Sequence, residues 1–131
     1  MPTTVLIVDD HQLIHNGINS MLSETDTQIV GNALDAENAI RLVAELQPAL
    51  MLLDILMPGI SGIETLEKVK QISPETKVIM LSTYENPTYV ARSIIRGASD
   101  YLVKSTGRGE LLNAISRAVQ NIEPPETSVF T

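Results

Sequence analysis

The sequence predicts one α/β domain with a parallel β-sheet that helices cover on both faces. Two observations carry this prediction. Short apolar runs rich in Val, Ile and Leu recur along the chain, too far apart for hairpins but suitably spaced for strand–helix–strand crossovers. The segments between the runs carry apolar residues at helical spacing. A length of 131 residues suits one domain, so we expect five strands and five helices in alternation.

The apolar runs predict the strands. Aliphatic residues, many of them β-branched, dominate each run. In chain order, the runs span residues 5–8, 29–34, 49–53, 78–81 and 101–103. Short and strongly apolar runs are typical of strands that are buried on both faces of a parallel sheet.

Apolar stripes predict the helices between these strands. The first stripe comprises Leu13, Ile14, Gly17, Ile18, Met21 and Leu22. The second comprises Ala36, Ala39, Ile40 and Val43, and the third comprises Ile63, Leu66, Val69 and Ile72. A fourth helix is predicted over residues 87–95, because Pro87 suits a first helical turn. The fifth contains Leu111, Leu112, Ala114, Ile115, Ala118, Val119 and Ile122, and no capping box marks its start near Gly107.

The character of the sequence changes after Ile122. The following segment is polar, lacks periodicity and contains Pro124 and Pro125, which stop a helix. We therefore predict a domain over residues 4–122 and a polar linker or tail over residues 123–131. A frayed terminus and a linker towards another domain explain this segment equally well.

Composition and charge argue against several classes of function. No apolar run approaches the ~20 residues of a membrane span, and no signal-peptide pattern occurs, so no membrane association is expected. The absence of cysteine excludes disulfides and thiolate metal sites and predicts a cytoplasmic protein. The formal net charge is −7, and the nine Lys and Arg residues are scattered. Direct nucleic-acid binding by this chain is therefore not expected.

Chemically active side chains follow four of the predicted strands. In an open parallel sheet, ligands bind beyond the carboxyl ends of the strands, so these positions test for a site. The residues found there are Asp9 and Asp10 after the first strand, Asp54 after the third, Ser82 and Thr83 after the fourth, and Lys104 after the fifth. If these four strands are neighbours, the groups converge. Residues 32–35, after the second strand, add no obvious member.

Three carboxylates at one position imply a bound cation. Each close pair of carboxylates repels by ~4 kcal/mol at an effective dielectric constant of about 20. A hard divalent cation such as Mg²⁺ removes this repulsion, since it prefers oxygen ligands and binds carboxylates together with phosphate oxygens. With Lys104 and such a cation, the formal charges of the site balance. A balanced site can receive an anionic phosphoryl group.

Four segments around these residues resemble the motifs of response regulator receiver domains, the phosphoacceptor modules of two-component systems. Residues 5–11, 53–62, 80–84 and 97–104 carry the similarity, which extends over roughly residues 4–122. The Asp-Asp-His opening, the Met-Pro-Gly turn and the Gly-Ala-Ser-Asp-Tyr-Leu segment are most similar to the LuxR/NarL type of transcriptional regulator. The resemblance implies a flavodoxin-like (βα)5 fold, doubly wound, with strand order 2-1-3-4-5.

The resemblance also implies a role for each site residue. Asp54 is the implied phosphoacceptor, and its donor is a sensor histidine kinase. The implied ligands of Mg²⁺ or Mn²⁺ are Asp9, Asp10, Asp54 and the backbone carbonyl of Leu56. The residues implied to bind the phosphoryl group or to switch with it are Ser82, Thr83, Lys104 and Tyr101. Leu56 and Tyr84 are implied to flank the site.

A receiver of this type is a switch rather than an enzyme, although weak self-phosphorylation and self-dephosphorylation are expected. The implied output is transcription, through a LuxR/NarL-type DNA-binding domain absent from this chain. A homodimer is expected through one of two faces. One face comprises the fourth helix, fifth strand and fifth helix, and the other comprises the first and fifth helices.

Other functions fit these residues less well. A receiver fold that no longer accepts phosphate usually lacks an acidic residue, the acceptor or the lysine, and this sequence has all of them. Phosphatases with an aspartate nucleophile need a second acid two positions later, where this chain has Leu56. The glycine-rich motifs of nucleotide-binding folds do not occur.

Several of the residues also have plain structural interpretations. Asp9 or Asp10 is suited to cap the first helix, and Tyr101 is suited to ordinary core packing. His11 and His15 have the i, i+4 spacing of a metal-binding pair, but no third ligand accompanies them. We therefore expect both histidines to be solvated.

Overall fold

The computed structural model describes residues 2–57, 59–83 and 86–122, in which strands and helices alternate. The strands are β1 (Thr3–Val8), β2 (Thr27–Ala33), β3 (Leu50–Asp54), β4 (Lys77–Ser82) and β5 (Asp100–Val103). The helices are α1 (Gln12–Leu22), α2 (Ala36–Leu46), α3 (Gly62–Ile72), α4 (Pro87–Ile95) and α5 (Arg108–Val119). The predicted α/β class and order of elements are confirmed. The linker or tail predicted at residues 123–131 lies outside the described residues.

The strands are all parallel and form one sheet in the order β2-β1-β3-β4-β5. This is the order that the resemblance implied. Every residue of β3 is buried, since helices cover both faces of the sheet. The chain changes direction across the sheet between β1 and β3, and β1, β3, β4 and β5 are consecutive neighbours. Their carboxyl ends therefore meet at one edge.

Two apolar cores lie on the two faces of the sheet. Alternate residues of a strand point to opposite faces. In β1, Leu6 and Val8 belong to one core, whereas Val5 and Ile7 belong to the other. The first core includes side chains of α2, α3 and α4, and the second includes side chains of α1 and α5. Packing on both sides fixes the sheet from which the loops of the carboxyl edge project.

Side-chain caps define the start of three helices. Asp35, Ser61 and Asn86 each accept hydrogen bonds from backbone N–H groups in the first turns of α2, α3 and α4. α5 begins after Gly107 without a side-chain cap, as the sequence predicted. Within the described residues, no helix combines the length and apolar character that crossing a bilayer requires.

The apolar stripe predicted for α1 is partly wrong. Leu13 is 82% exposed, and Gly17 is exposed as well. The buried residues of this helix are His15, Ile18 and Leu22. At about 100° per residue, Leu13 lies on the opposite side of the helix from these three. A stripe of apolar residues omits the polar His15, whose burial rotates the buried face of α1 away from Leu13.

Candidate functional site

Four predicted site residues converge at the carboxyl edge of the sheet. Asp9 directly follows β1, Asp54 is the last residue of β3, and Lys104 directly follows β5. Asp9 is 0% exposed and Asp54 is 2% exposed. Ser82, the last residue of β4, is also buried. They converge because neighbouring parallel strands end at the same edge.

The ammonium group of Lys104 joins two of the carboxylates. Its Nζ lies 2.7 Å from Asp9 Oδ2 and 3.2 Å from Asp54 Oδ2. Its backbone N–H donates to the carbonyl oxygen of Ser82 (2.6 Å), which ties the end of β5 to β4. Burial acts to lower the pKa of Lys104, but hydrogen bonds and charges from Asp9 and Asp54 outweigh burial, so the pKa is raised. Lys104 is therefore a stable cation between the two carboxylates.

The carboxylate of Asp54 is held in a defined orientation. Its Oδ2 faces Lys104, and its Oδ1 accepts a hydrogen bond from the backbone N–H of Leu56 (3.2 Å). Burial and the negative charge of Asp9 raise the pKa of Asp54 from 3.8 to about 6, although the Leu56 hydrogen bond and Lys104 act in the opposite direction. Asp54 is thus mostly ionised at neutral pH, as a carboxylate nucleophile must be.

The loop after Asp54 folds closely against the end of its strand. The N–H of Gly62 donates to the carbonyl oxygen of Ile55 (2.9 Å). A Cβ atom at position 62 would collide with the carbonyl oxygen of Asp54 and with Cα of Ile55, so this approach requires glycine. Gly62 lies in the motif at residues 53–62, but the sequence alone indicates no role for it. A single sequence does not distinguish a glycine needed for close approach from an ordinary turn glycine.

Asp10 and His11 complete a cluster that is suitable for a metal ion. One ligand atom each from Asp9, Asp10, His11 and Asp54 lies within 4.8 Å of all the others. His11 Nδ1 is 3.0 Å from Asp9 Oδ1 and 3.1 Å from Asp10 Oδ1. The three carboxylates outnumber the one ammonium group of Lys104, so negative charge is in excess. Oxygen ligands with this charge fit a hard divalent cation.

Neither aspartate of the acidic pair caps α1. The residue at the N-cap position is His11, and no side chain caps the helix. Asp9 Oδ1 instead accepts a hydrogen bond from the backbone N–H of His11 itself (2.9 Å). The carboxylates of Asp9 and Asp10 are therefore directed to the site rather than to the first turn of the helix.

The two histidines behave differently from each other. The ring of His11 is 62% exposed, as predicted, although it contacts the acidic pair. His15 is only 1% exposed, so the prediction that it is solvated is wrong. Its Nε2 lies 2.7 Å from the carbonyl oxygen of Asp9, and its Nδ1 lies 2.9 Å from the side-chain amide of Asn32. Partners on both ring nitrogens make this burial tolerable, and they exclude a metal pair with His11 in this arrangement.

The remaining predicted residues lie around this centre. Thr83 is exposed, and Leu56 is 54% exposed beside an open groove of about 420 Å³ that Asp10 also lines. Tyr101 on β5 is 8% exposed and belongs to the core on the α4 side of the sheet. Its packing is that of a core residue, and its switch role stays a prediction. Tyr84 lies outside the described residues.

Comparisons with known proteins agree with this geometry. The family model described as response regulator receiver domain matches residues 5–116, which is most of the chain. The response regulator protein VraR of Staphylococcus saprophyticus is 38% identical over 131 residues, covering 99% of this chain and 63% of that protein. The chain spans about half to just under two thirds of the length of such curated relatives.

Several solved structures share the fold at more than 25% identity. The signal receiver domain of a NarL response regulator from Mycobacterium tuberculosis superimposes with a TM-score of 0.85 at 29% identity, covering 91% of this chain and 97% of that chain. A CheX–CheY–BeF3–Mg²⁺ complex from Borrelia burgdorferi gives a TM-score of 0.83 at 27% identity, covering 88% and 87%. The predicted similarity to receivers of NarL-type regulators is confirmed.

Proposed function

This chain belongs to the response regulator receiver domain family, and from that membership we propose that it accepts a phosphoryl group on Asp54 from a sensor histidine kinase. The observation that carries the proposal is the 3.2 Å distance between Lys104 Nζ and Asp54 Oδ2. A buried carboxylate beside a fixed cation suits phosphoryl transfer, because positioning and charge neutralisation supply most of its catalysis.

The proposed reaction uses the orientation of the Asp54 carboxylate. An oxygen of Asp54 forms a bond to phosphorus while the phosphorus–nitrogen bond of the phosphohistidine breaks. The electron pair of that bond goes to the imidazole nitrogen that leaves, and Asp54 becomes an acyl phosphate. Because Leu56 and Lys104 already hold its two oxygens, the carboxylate needs little reorganisation before attack.

Asp9, Asp10, Asp54 and the backbone carbonyl of Leu56 are the proposed ligands of Mg²⁺ or Mn²⁺. When bound, the ion supplies positive charge to the carboxylates and to the phosphoryl oxygens. The excess of negative charge among the clustered oxygens supports this assignment. A relative of the same fold is described as a complex with BeF3 and Mg²⁺, which is further support.

Other residues are proposed to contact the phosphoryl group or to respond to it. Ser82 is buried at the end of β4, between the strands that carry Asp54 and Lys104, which supports a hydrogen bond to a phosphoryl oxygen. The proposed further contacts are Thr83 and Lys104, the proposed responding residue is Tyr101, and the proposed flanking residues are Leu56 and Tyr84. The same charges would support weak self-phosphorylation and self-dephosphorylation.

The proposed output of the switch is transcription in the cytoplasm, through a LuxR/NarL-type DNA-binding domain of the whole protein. The names of the relatives and the share of their length that this chain spans support this part of the proposal. Phosphorylation would act on a homodimer through the α4–β5–α5 face or the α1–α5 face. With a net charge of −7, the chain itself is not proposed to bind nucleic acid.

Mass spectrometry after incubation with Mg²⁺ and acetyl phosphate tests the acceptor. The wild-type chain is expected to gain one labile phosphoryl group, and Asp54→Asn is expected to gain none, because the carboxylate nucleophile is lost. Asp26→Asn is the control, since Asp26 is exposed just before β2. Labelling of Asp54→Asn at another residue, to the same extent as wild type, contradicts the assignment.

A further inference from the structure

His15 is a buried polar residue that has no part in the proposed chemistry but touches the acidic pair. Its ring is 1% exposed on the inner face of α1. Nε2 lies 2.7 Å from the backbone carbonyl oxygen of Asp9. A carbonyl oxygen only accepts hydrogen bonds, so Nε2 carries the proton and donates it. The partner is thus the main chain of a proposed metal ligand rather than a side chain.

The carbonyl that His15 contacts controls the direction of the next residue. The carbonyl of Asp9 and the N–H of Asp10 belong to one planar peptide group. A hydrogen bond on the Asp9 oxygen therefore limits rotation of that plane, which leads from the end of β1 into the turn before α1. The Cα of Asp10, and with it the direction of the Asp10 carboxylate, follows the orientation of this plane.

Different contacts fix the other polar groups of Asp9. Its N–H donates to the carbonyl oxygen of Ala33 (3.1 Å), its Oδ1 accepts from the N–H of His11, and its Oδ2 faces Lys104. These contacts hold the Asp9 side chain and the strand end, but they do not involve the peptide plane that continues to Asp10. The hydrogen bond from His15 acts on that plane.

A partner on β2 orients the ring of His15. Nδ1 lies 2.9 Å from the side-chain amide of Asn32, and Asn32 pairs with Ile7 in the register of β1 and β2. With the proton on Nε2, Nδ1 is an acceptor, so the NH2 group of the Asn32 amide donates to it. Strand β2 is the outermost strand on its side of the sheet and supplies no group to the proposed chemistry. The contact of Asn32 with His15 connects this strand to the acidic pair, Asp9 and Asp10. The path runs from Asn32 to the His15 ring and then to the Asp9 carbonyl.

We propose that His15 is a positioning residue for the metal site: it holds the Asp9–Asp10 peptide so that both carboxylates face one cation. This inference rests on the proposed function, since it concerns the same site. Loss of a residue that orients metal ligands typically weakens metal binding by about 10- to 100-fold. We expect an effect of this size on Mg²⁺ affinity when the donor to Asp9 is removed.

A Mg²⁺ titration of the full chain, followed by NMR amide shifts, tests the proposal with two variants. His15→Leu keeps an apolar side chain on the inner face of α1 and removes the donor, and its Mg²⁺ affinity is expected to fall at least about 10-fold. His15→Gln retains an N–H donor at a position similar to Nε2, and its affinity is expected to stay close to wild type. Equal affinities of His15→Leu and wild type, with both chains folded, overturn the proposal.

A third variant keeps the test decisive where His15→Leu fails to fold. Asn32→Ala leaves the ring in place and removes the group that orients it, so Mg²⁺ affinity is expected to fall by a smaller factor. An unchanged affinity of Asn32→Ala would then overturn the proposal. A wild-type chain that binds no Mg²⁺ contradicts the proposed function itself, whereas normal wild-type binding with insensitive variants contradicts only the role of His15.

Discussion

Polar side chains are buried at the carboxyl edge of the sheet, where the strands end, and at the amino edge, where the strands begin. The buried groups at the carboxyl edge are mainly charged, and those at the amino edge are mainly neutral hydroxyl groups. The carboxyl edge holds Asp9, Asp54 and Lys104, and Asp10 adds to the excess of negative charge there. At the amino edge, the hydroxyl of Thr76 donates to the carbonyl oxygen of Pro48 (2.7 Å) and lies 2.6 Å from the hydroxyl of Ser73. Both hydroxyl residues are 1% exposed. The amino edge is satisfied by neutral partners, whereas the carboxyl edge retains charge that a ligand can neutralise.

Each edge also has a partly buried lysine, and the two pKa values move in opposite directions. Lys70 Nζ donates to the carbonyl oxygens of Pro74 (3.0 Å) and Thr76 (2.9 Å). Burial, together with the charge of Lys77, lowers the pKa of Lys70. The pKa of Lys104 is raised because carboxylates surround its ammonium group. The comparison shows that partner charge, rather than burial alone, separates the carboxyl edge, which carries the proposed chemistry, from the amino edge.

Removing the Lys104 charge is expected to produce the largest effect. Lys104→Met retains most of the length of the side chain, and the rate of Asp54 phosphorylation should fall by about 10²–10³-fold, the range for loss of one preorganised group at a developing charge. Lys70→Met removes a lysine from the amino edge and should leave the rate unchanged. Quenched-flow labelling with phosphoramidate and Mg²⁺ measures both rates. Equal losses in the two variants would contradict a special role for Lys104.

The pH dependence of stability should also differ between the edges. In metal-free protein, the folded-state pKa of Asp54 is raised from 3.8 to about 6, so the folded state holds a proton that the unfolded state releases. Asp54 therefore lowers stability as pH rises from about 4 to 6, by up to about 3 kcal/mol. Asp54→Asn carries no such charge and should be more stable than wild type above pH 6, with the difference vanishing below pH 4.

Urea unfolding in EDTA across this pH range measures that difference. Asp26→Asn serves as the control at an exposed position. A free-energy difference between Asp54→Asn and wild type that does not change with pH would show that the Asp54 carboxylate is not held in a destabilising environment.

The fold and much of the site follow from the sequence because both depend on periodic patterns. Apolar runs located the strands, and the residues directly after them included Asp9, Asp54 and Lys104. Once the strands are parallel neighbours, no further information is needed to bring those three residues together. The third-strand motif likewise placed Asp54, the proposed acceptor, at the end of a fully buried strand.

The residues that sequence reasoning missed depend on contacts between elements. His15 is buried because its partners, Asp9 and Asn32, come from β1 and β2. An isolated sequence gives a histidine on a helix no sign of such partners, and the apolar pattern favoured Leu13 instead. Gly62 is required by the approach of α3 to β3, which is a property of packing. Polar residues in a core are therefore harder to predict than apolar ones.

The hydroxyl of Ser82 should couple the phosphoryl group to the rest of the carboxyl edge. A hydrogen bond to a charged group contributes about 1.5–3 kcal/mol, which shifts a two-state population by about 10- to 150-fold. Ser82→Ala should leave Asp54 phosphorylatable while uncoupling it from Tyr101. NMR amide shifts on addition of beryllofluoride, which stands in for the phosphoryl group, measure this coupling. Ser99→Ala is the control, because Ser99 directly precedes β5 at the amino edge. A full response of Tyr101 in Ser82→Ala would exclude this route.

The change in the free energy of unfolding caused by Lys70→Met should be the smallest of these effects. It tests whether the lysine at the amino edge is held by neutral partners. Loss of the hydrogen bonds to Pro74 and Thr76 is destabilising, but loss of a partly buried charge is stabilising, so the net change at pH 7 should be below about 1 kcal/mol. Because the folded pKa of Lys70 lies below its unfolded value of 10.5, wild type should gain stability relative to Lys70→Met as pH rises towards 10.5.

Lys104, whose folded pKa is raised, should contribute stability that is present below its unfolded pKa and lost as pH rises through its folded pKa. Urea unfolding of wild type, Lys70→Met and Lys104→Met between pH 7 and 10.5 tests the first trend and the onset of the second. If the stability contributed by Lys70 and that contributed by Lys104 changed with pH in the same direction, the proposed contrast in partner charge between the two edges would be wrong.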